Sequence, residues 1–401
     1  MPHCSMMASV RHAYNAQFSE EKYRHFLADL DQSFQHKVTF RVAESPLFID
    51  SSFKEKLLTA SNQIIDFIVR DDFKKITERA IPKKLVVPNE TDHTLFLALD
   101  FAIVKDKNGE LQPQLIEMQG FPSLFGWQDF LATKFREHFS IPTNLEQHFD
   151  LNSEQYQKKL KQVLLNGHDP EHVVLLEIDP LKQNTAVDFL STQRITGIAP
   201  VHIGNIIREG RKLFYKKGVK KISISRIYNR VIFDELVKQT SKQEFNLLED
   251  VDVEWAGHPN WFFRISKYTM PFIKSEYIPE CKFLSDYDAF PSDLENYVLK
   301  PLFSFSGSGV FFHVAQKDID NIPVEQRHDY LLQRKVQYEP VIQTPDGMVK
   351  AEIRILFLWE DGTPRPTPVT NLARLSRGDM IGVKYNKDKT WVGGSVCFFE
   401  N

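Results

Sequence analysis

What this sequence lacks narrows it first. Its 401 residues hold three cysteines, Cys4, Cys281 and Cys397. They are scattered and share no metal-type spacing, which argues against a disulfide framework and points to a reducing compartment. No apolar run approaches the ~20 residues needed to span a bilayer, and the opening MPHCSMMASVRHAYNAQF has no apolar stretch behind a basic start. The expected location is the cytoplasm, with no membrane partner. Charge of one sign is missing too. A net charge of −3 argues against a nucleic-acid partner held by bulk electrostatics. There is no internal repeat, no low-complexity tract, no GxGxxG dinucleotide fingerprint and no GxxxxGK[ST] phosphate loop.

What is present is ordinary in bulk. Hydrophobic content of 42% and charged content of 26% suit a globular protein, long enough for two or three domains. The 32 phenylalanines against 12 tyrosines suggest an aromatic core. Residues 19–34 read as an amphipathic helix with Ser19 as N-cap and Glu20 and Glu21 in its first turn. Helices are also expected over 52–79, 127–139 and 153–166. His138 and His148 show no ligand-like neighbour and read as packing or solvated side chains. Residues 172–178, HVVLLEI, form a short apolar run typical of a buried parallel strand. A helix at 183–194, a strand in ITGIAPVHIG, strands around Lys217-Gly218 and a helix at 229–239 follow. This alternation predicts a small α/β domain with a partly parallel sheet. From 256 onward the pattern predicts an apolar helix through Ile273, then strands at 297–300, 311–315, 330–336 and 351–359.

The most informative stretch is Thr94 to Ser123. Asn108-Gly109 is a strong hairpin signal, because both central residues of a type I′ turn need φ > 0. A two-residue loop there places Asp100 directly across from Glu117, with Gln119 on the same face. Opposed carboxylates repel. A divalent cation between them would offset that, and Mg²⁺ takes one or two carboxylates plus nucleotide phosphates; equally, the acids could simply face water. Leu97, Leu99, Phe101 and Ile103 share the other face and read as core.

Cationic residues gather in the last third. Lys300 ends a strand and is followed by the small-residue loop 304–309, SFSGSG, whose backbone N–H groups could approach a phosphate. Such a loop also reads as a plain turn. Gln333 to Val336 fits a strand whose backbone reads an adenine edge, with Glu339 near ribose hydroxyls, or an ordinary strand with an exposed glutamate. Arg354 and Arg374 sit among apolar neighbours and want a buried anion: Glu352 on the same strand face, a phosphate, or a substrate carboxylate.

Four stretches, in order, resemble the ATP-grasp superfamily. DFAIV…NGELQPQLIEMQGFPS is similar to its metal-binding hairpin. YVLKPLFSFSGSGV is similar to its phosphate-lysine strand and glycine loop, YLLQRKVQYE to its adenine hinge, and AEIRILFLW to the strand of its catalytic arginine. The hairpin comes first here, a permuted order that resembles glutathionylspermidine synthetase-like ligases. The resemblance implies an α/β (α+β) ATP-grasp nucleotide-binding fold in circularly permuted order. It implies N-terminal helices plus the metal hairpin over 1–150, a Rossmann-like substrate domain over 151–255, and the nucleotide-binding region over 256–401. It further implies that Lys267 and Lys300 hold phosphates and that Ser304, Ser306, Gly307, Ser308 and Gly309 cover them. Gln333, Lys335, Val336 and Glu339 would border adenosine. Asp100, Glu117 and Gln119 would ligate Mg²⁺, and Arg354 and Arg374 would be catalytic. Gln119 stands where the family usually has asparagine, and the loop lacks the charged residues glutathionylspermidine synthetases carry there. The implied function is an ATP-dependent ligase joining a carboxylate to an amine through an acyl phosphate. The alternatives are a phosphotransferase acting on a small-molecule hydroxyl and a degenerate, non-catalytic nucleotide-binding module. Arg208, Arg226 and Arg230 are candidates for the substrate carboxylate, or surface charges.

Overall fold

The computed structural model describes residues 7–236, 244–302, 309–378, 381, 386 and 388–400. It is a mixed α/β protein whose central element is a six-stranded sheet made from both halves of the chain. The longest strand, Gly347–Leu358, lies between Phe96–Lys105 and Thr367–Ser376, antiparallel to both. Leu111–Gln119 flanks one side and Gly393–Ser395 the other, while Pro340–Thr344 hairpins back onto the long strand. Side chains alternate between faces. Leu97, Leu99, Phe101, Ile103, Ile353, Ile355 and Phe357 enter one large core. The helices Ala8–Gln17, Glu20–Phe34, Ser51–Ile68 and Phe125–His138 contribute to that core from Tyr14, Phe26, Leu57, Ile64 and Phe135.

The opposite face changes character along its length. Phe96, Ala98, Leu356 and Leu358 pack with Tyr228 and Ala256 of a second unit. That unit is a four-stranded parallel sheet in the order Glu254–Ala256, Arg226–Asn229, Val173–Glu177, Ala199–His202. The first two parallel strands of the chain sit side by side and the third adds on the other side of the first. The order therefore reverses between Val173–Glu177 and Arg226–Asn229. The expected strand at 172–178 and helix near 183–194 (here Ala186–Thr196) are present. The Lys217-Gly218 turn joins Lys212–Lys217 to Lys220–Ile224, with Gly218 at φ 62°. A third sheet, antiparallel, orders Cys281–Phe283, Tyr330–Arg334 and Tyr297–Pro301.

Several local expectations differ. The hairpin does not close on a two-residue turn. Lys105 pairs with Leu111, Asp106 N–H donates to Glu110 O at 2.8 Å, and Gly109 alone in the loop has positive φ. The Asp106 carboxylate accepts from the backbone of Asn108 and Glu110 and stabilises this longer loop. Ile116 is then an extra residue in the ladder, and this bulge restores Asp100 opposite Glu117. Residues 52–79 become Ser51–Ile68 plus the short turns Phe73–Ile76 and Glu78–Ala80. The apolar helix expected through Ile273 is only Trp261–Arg264 and a 3-10 segment, Lys267–Phe272, which contains Pro271. Residues 311–315 form no strand, only a bridge between Phe311 and Leu299. The helix expected at 229–239 is Phe233–Leu236 within the described residues. His138 and His148 do have partners, Asp29 and Asp129, each at 2.8 Å. No helix among the described residues is long and apolar enough to cross a membrane.

Gly120 ends the hairpin where two segments cross. Its N–H donates to Ile265 O at 2.9 Å, and a Cβ there would collide with the Trp261 carbonyl. Gly120→Ala is expected to cost about 1–3 kcal/mol, measured as a lowered midpoint of thermal unfolding.

Candidate functional site

Beyond the contact with the parallel sheet, the same face of the central sheet becomes charged. Asp100 lies opposite Glu117 on one side and Arg354 on the other, and Glu352 lies opposite Arg374. Ala98 and Ala102, across from Gln119 and Glu352, leave room for the long side chains. Arg354 grips Asp100 with two parallel bonds, Nε to Oδ1 at 2.6 Å and Nη2 to Oδ2 at 2.7 Å. Arg374 Nη2 adds a third at 2.5 Å and also bonds Glu352. Tyr338 donates to the other oxygen of Glu352 at 2.8 Å.

The electrostatics follow from burial and partners. Burial pushes the Asp100 carboxyl up, but Arg354 and Arg374 outweigh it and hold it below the usual carboxylate range. Burial raises Glu352, countered only in part by Arg374. Arg374 is lowered by burial but raised further by Glu352 and Asp100, so it stays cationic. The carboxylate opposition expected to need a metal is thus met at Asp100 by two guanidinium groups, and both its oxygens are occupied. Of the anions expected for the two arginines, Glu352 is taken by Arg374, which reaches it across the strands, while Arg354 takes Asp100.

Of these groups Glu117, Arg354 and Arg374 border a cleft of about 400 Å³. Glu117, Gln119, Lys267, Arg354 and Arg374 line one side, and Glu177, Arg230 and Glu235 of the parallel-sheet unit line the other. Glu177 ends its strand and Arg230 follows the end of the neighbouring strand. Both therefore sit at the carboxyl end of the parallel sheet where strand order reverses, the usual ligand position in such sheets. Arg230 donates to Pro122 O at 2.8 Å, stacks on Phe121, and keeps a buried Nε with no hydrogen-bond partner among the described residues. Sequence reading named Arg230 only beside Arg208 and Arg226. Those two turn elsewhere, Arg208 to Glu249 and Arg226 to Glu254 and two carbonyls. Glu177 and Glu235 were missed. The signal available for Glu177 was its place at the end of an apolar parallel strand.

The remaining expected residues divide. Lys267 is buried on the cleft wall, and burial lowers it against the pull of Glu117. Lys300 lies outside the lining but within the field of Glu117 and Lys267. Burial pushes it down to about 8, and its ammonium donates to Gln333 Oε1 at 2.8 Å. The Gln333 side chain is therefore spent on Lys300. The Lys335 N–H and ammonium bond Asn296 O and Glu295 O, and Glu339 bonds Lys105 at 2.6 Å. Lys335, Val336 and Glu339 lie past the end of the Tyr330–Arg334 strand and outside the cleft lining. Gly309 has φ 70° beside Pro301. Ser304, Ser306, Gly307 and Ser308 lie outside the described residues. No cluster of three or more His, Cys, Asp or Glu suited to a metal exists among the described residues.

No protein-family model matches the chain, and no curated protein matches it in sequence. Among solved structures it is similar to a glutathione synthetase-like effector from Globodera pallida, in its apo form. The two are 10% identical with a TM-score of 0.61, over 95% of this chain and 96% of the other. At that identity the likeness establishes a shared fold.

Two outcomes are expected. Asp100→Asn removes the shared anion between two guanidinium groups and should destabilise the protein by about 3–5 kcal/mol, read from denaturant unfolding. Glu177 behaves oppositely. Burial pushes it up to about 8, with the Ile178 N–H and Arg230 pulling it down. The folded protein keeps that proton longer than the unfolded chain, so stability falls as pH rises from about 5 towards 8. Glu177→Gln should flatten that fall, measured as thermal midpoint against pH.

Proposed function

We propose that this chain is an ATP-dependent carboxylate–amine ligase on a circularly permuted ATP-grasp core. One observation carries the reading. Glu117 and Gln119 from the first third of the chain share a cleft with Lys267, Arg354 and Arg374 from the last, facing Arg230 at the end of a parallel sheet. Acidic and basic groups converging on one crevice suit a triphosphate, its counter-ion and an anionic co-substrate.

In this reading the substrate carboxylate attacks the γ-phosphorus of ATP, and ADP leaves with the electron pair of the broken P–O bond. The amine then attacks the acyl carbon of the acyl phosphate, loses a proton, and phosphate departs as the amide forms. Lys267 and Lys300 offset phosphate charge, Arg354 and Arg374 face the transferring group, and Arg230 orients the carboxylate. Catalysis is chiefly positioning and charge neutralisation. The donor set fits one Mg²⁺ in part. Glu117 and Gln119 would hold it, with phosphate and water completing its shell, whereas both Asp100 oxygens already accept from guanidinium groups. Bound there, Mg²⁺ would neutralise phosphate charge.

The deciding assay supplies ATP, Mg²⁺, a panel of carboxylic acids and hydroxylamine as a general amine. Hydroxamate with equimolar phosphate is expected. Phosphate retained on an acceptor hydroxyl would make it a phosphotransferase. The engagement of both arginines with Asp100 and Glu352 favours one second reading, a nucleotide-binding module without turnover. ATP binding in calorimetry with no product from any acid would establish that reading. Affinity for ATP is also expected to fall as pH rises through about 8, where Lys300 loses its charge. Glu177, also near 8 on the cleft wall, would act in the same direction, so Lys300→Arg combined with Glu177→Gln should abolish that inflection in a binding titration.

A further inference from the structure

A second cavity, of about 290 Å³, adjoins the cleft: Thr185 and Arg374 line both. Its character is different. Phe40, Leu124, Trp127, Leu372, Leu375 and Val392 supply an apolar part of its wall, and Arg41, Asp388 and Lys389 add charge at its border. Phe40 and Trp127 meet edge to face at 5.7 Å. Trp127, Leu372, Leu375 and Val392 are buried, so this part of the wall is preformed. Leu372 stands two residues before Arg374 on the same strand and opposite Arg354, so it shares their face. With Leu375 on the opposite face, the cavity draws its wall from both sides of this strand and meets the reactive face at the Arg374 guanidinium group.

That guanidinium is incompletely satisfied. Arg374 bonds Asp100 and Glu352 through Nη2 alone, and its Nε is buried with no hydrogen-bond partner among the described residues. That Nε is closed off, but the Arg374 side chain is 36% exposed, so an anionic oxygen can reach the rest of the guanidinium. An anionic oxygen beside Arg374, joined to an apolar group in the cavity, matches both features. An engineered cavity of roughly 150 Å³ is enough for benzene, so about 290 Å³ has room for a phenyl ring with a short linker.

We propose that this cavity binds the apolar arm of a carboxylic acid whose carboxylate lies at Arg374, which makes the carboxylate substrate an aryl- or alkyl-substituted acid. The naming of it as substrate rests on the ligase reading; the binding does not. The test is calorimetry on the full chain with 3-phenylpropionate, acetate and 3-phenylpropanamide. The acid with the ring should bind at least about ten-fold more tightly than either control, because one lacks the buried ring and the other the anion. Phe40→Trp and Leu372→Phe, which fill the cavity, should each weaken it by about ten-fold or more. Phe40 is half-buried, so its variant retains the fold, checked by circular dichroism. Equal binding of the three compounds, or binding indifferent to both substitutions, overturns the proposal. Tight binding of 3-phenylpropionate with no hydroxamate in the ligase assay overturns the enzymatic reading and leaves the cavity assignment standing.

Discussion

The buried ion cluster at Asp100 is the constraint on which the site depends. Asp100 and Glu352 carry two negative charges, Arg354 and Arg374 two positive ones, and strand register places opposite signs across from each other. Removing such groups from water costs several kcal/mol each, and only close, multiply bonded geometry offsets it. Asp100 meets that demand with three charge-assisted hydrogen bonds. Because it lies more than 250 residues from Arg354, the cluster fixes the front of the chain against its rear in one register. A slip of one residue would turn every member into the apolar core on the other face.

This explains what sequence could and could not reveal. Alternation along TLFLALDFAIV separates Leu97, Leu99, Phe101 and Ile103 from Asp100, and the structure follows it because one face is buried against helices. The pairing of Asp100 with Glu117 also holds, although by a different route. The loop is longer than Asn108-Gly109 implies, and Ile116 bulges to compensate. What neutralises Asp100 was not legible. A local sequence shows that two carboxylates oppose each other; it does not show that a third strand, from the far end of the chain, brings guanidinium groups against them. The same limit applies to Gln333, Lys335 and Glu339. Their partners, Lys300, Asn296 and Lys105, come from other strands and loops, which no local pattern shows.

Two buried carboxylates, Asp100 behind one wall of the cleft and Glu177 on the other, show how one cleft holds two chemistries. Asp100 is pushed towards ionisation by paired arginines, whereas Glu177, equally buried, is pushed towards its neutral form because its nearest help is one backbone N–H and a more distant Arg230. Groups whose surroundings drive them apart mark functional walls more often than structural ones. Here the split follows architecture. The antiparallel sheet supplies facing guanidinium groups that hold Asp100 ionised, while Glu352 beside them is still raised by burial. The parallel sheet supplies strand ends, where a buried carboxylate borders the cleft but is not compensated.

The boundary between those walls is set on a single strand. On Phe96–Lys105, Phe96 and Ala98 dock the parallel-sheet unit through Tyr228 and Ala256, and the next residue on that face is Asp100. Apolar docking ends where the ion cluster begins, so the two units are held together immediately beside the crevice they enclose. A fold of this kind constrains the pattern of faces, register and strand order far more than residue identity. The same architecture recurs at 10% identity for that reason. The side chains around Arg374, with charge on one side and an apolar cavity on the other, are then where this chain is free to differ in what it binds.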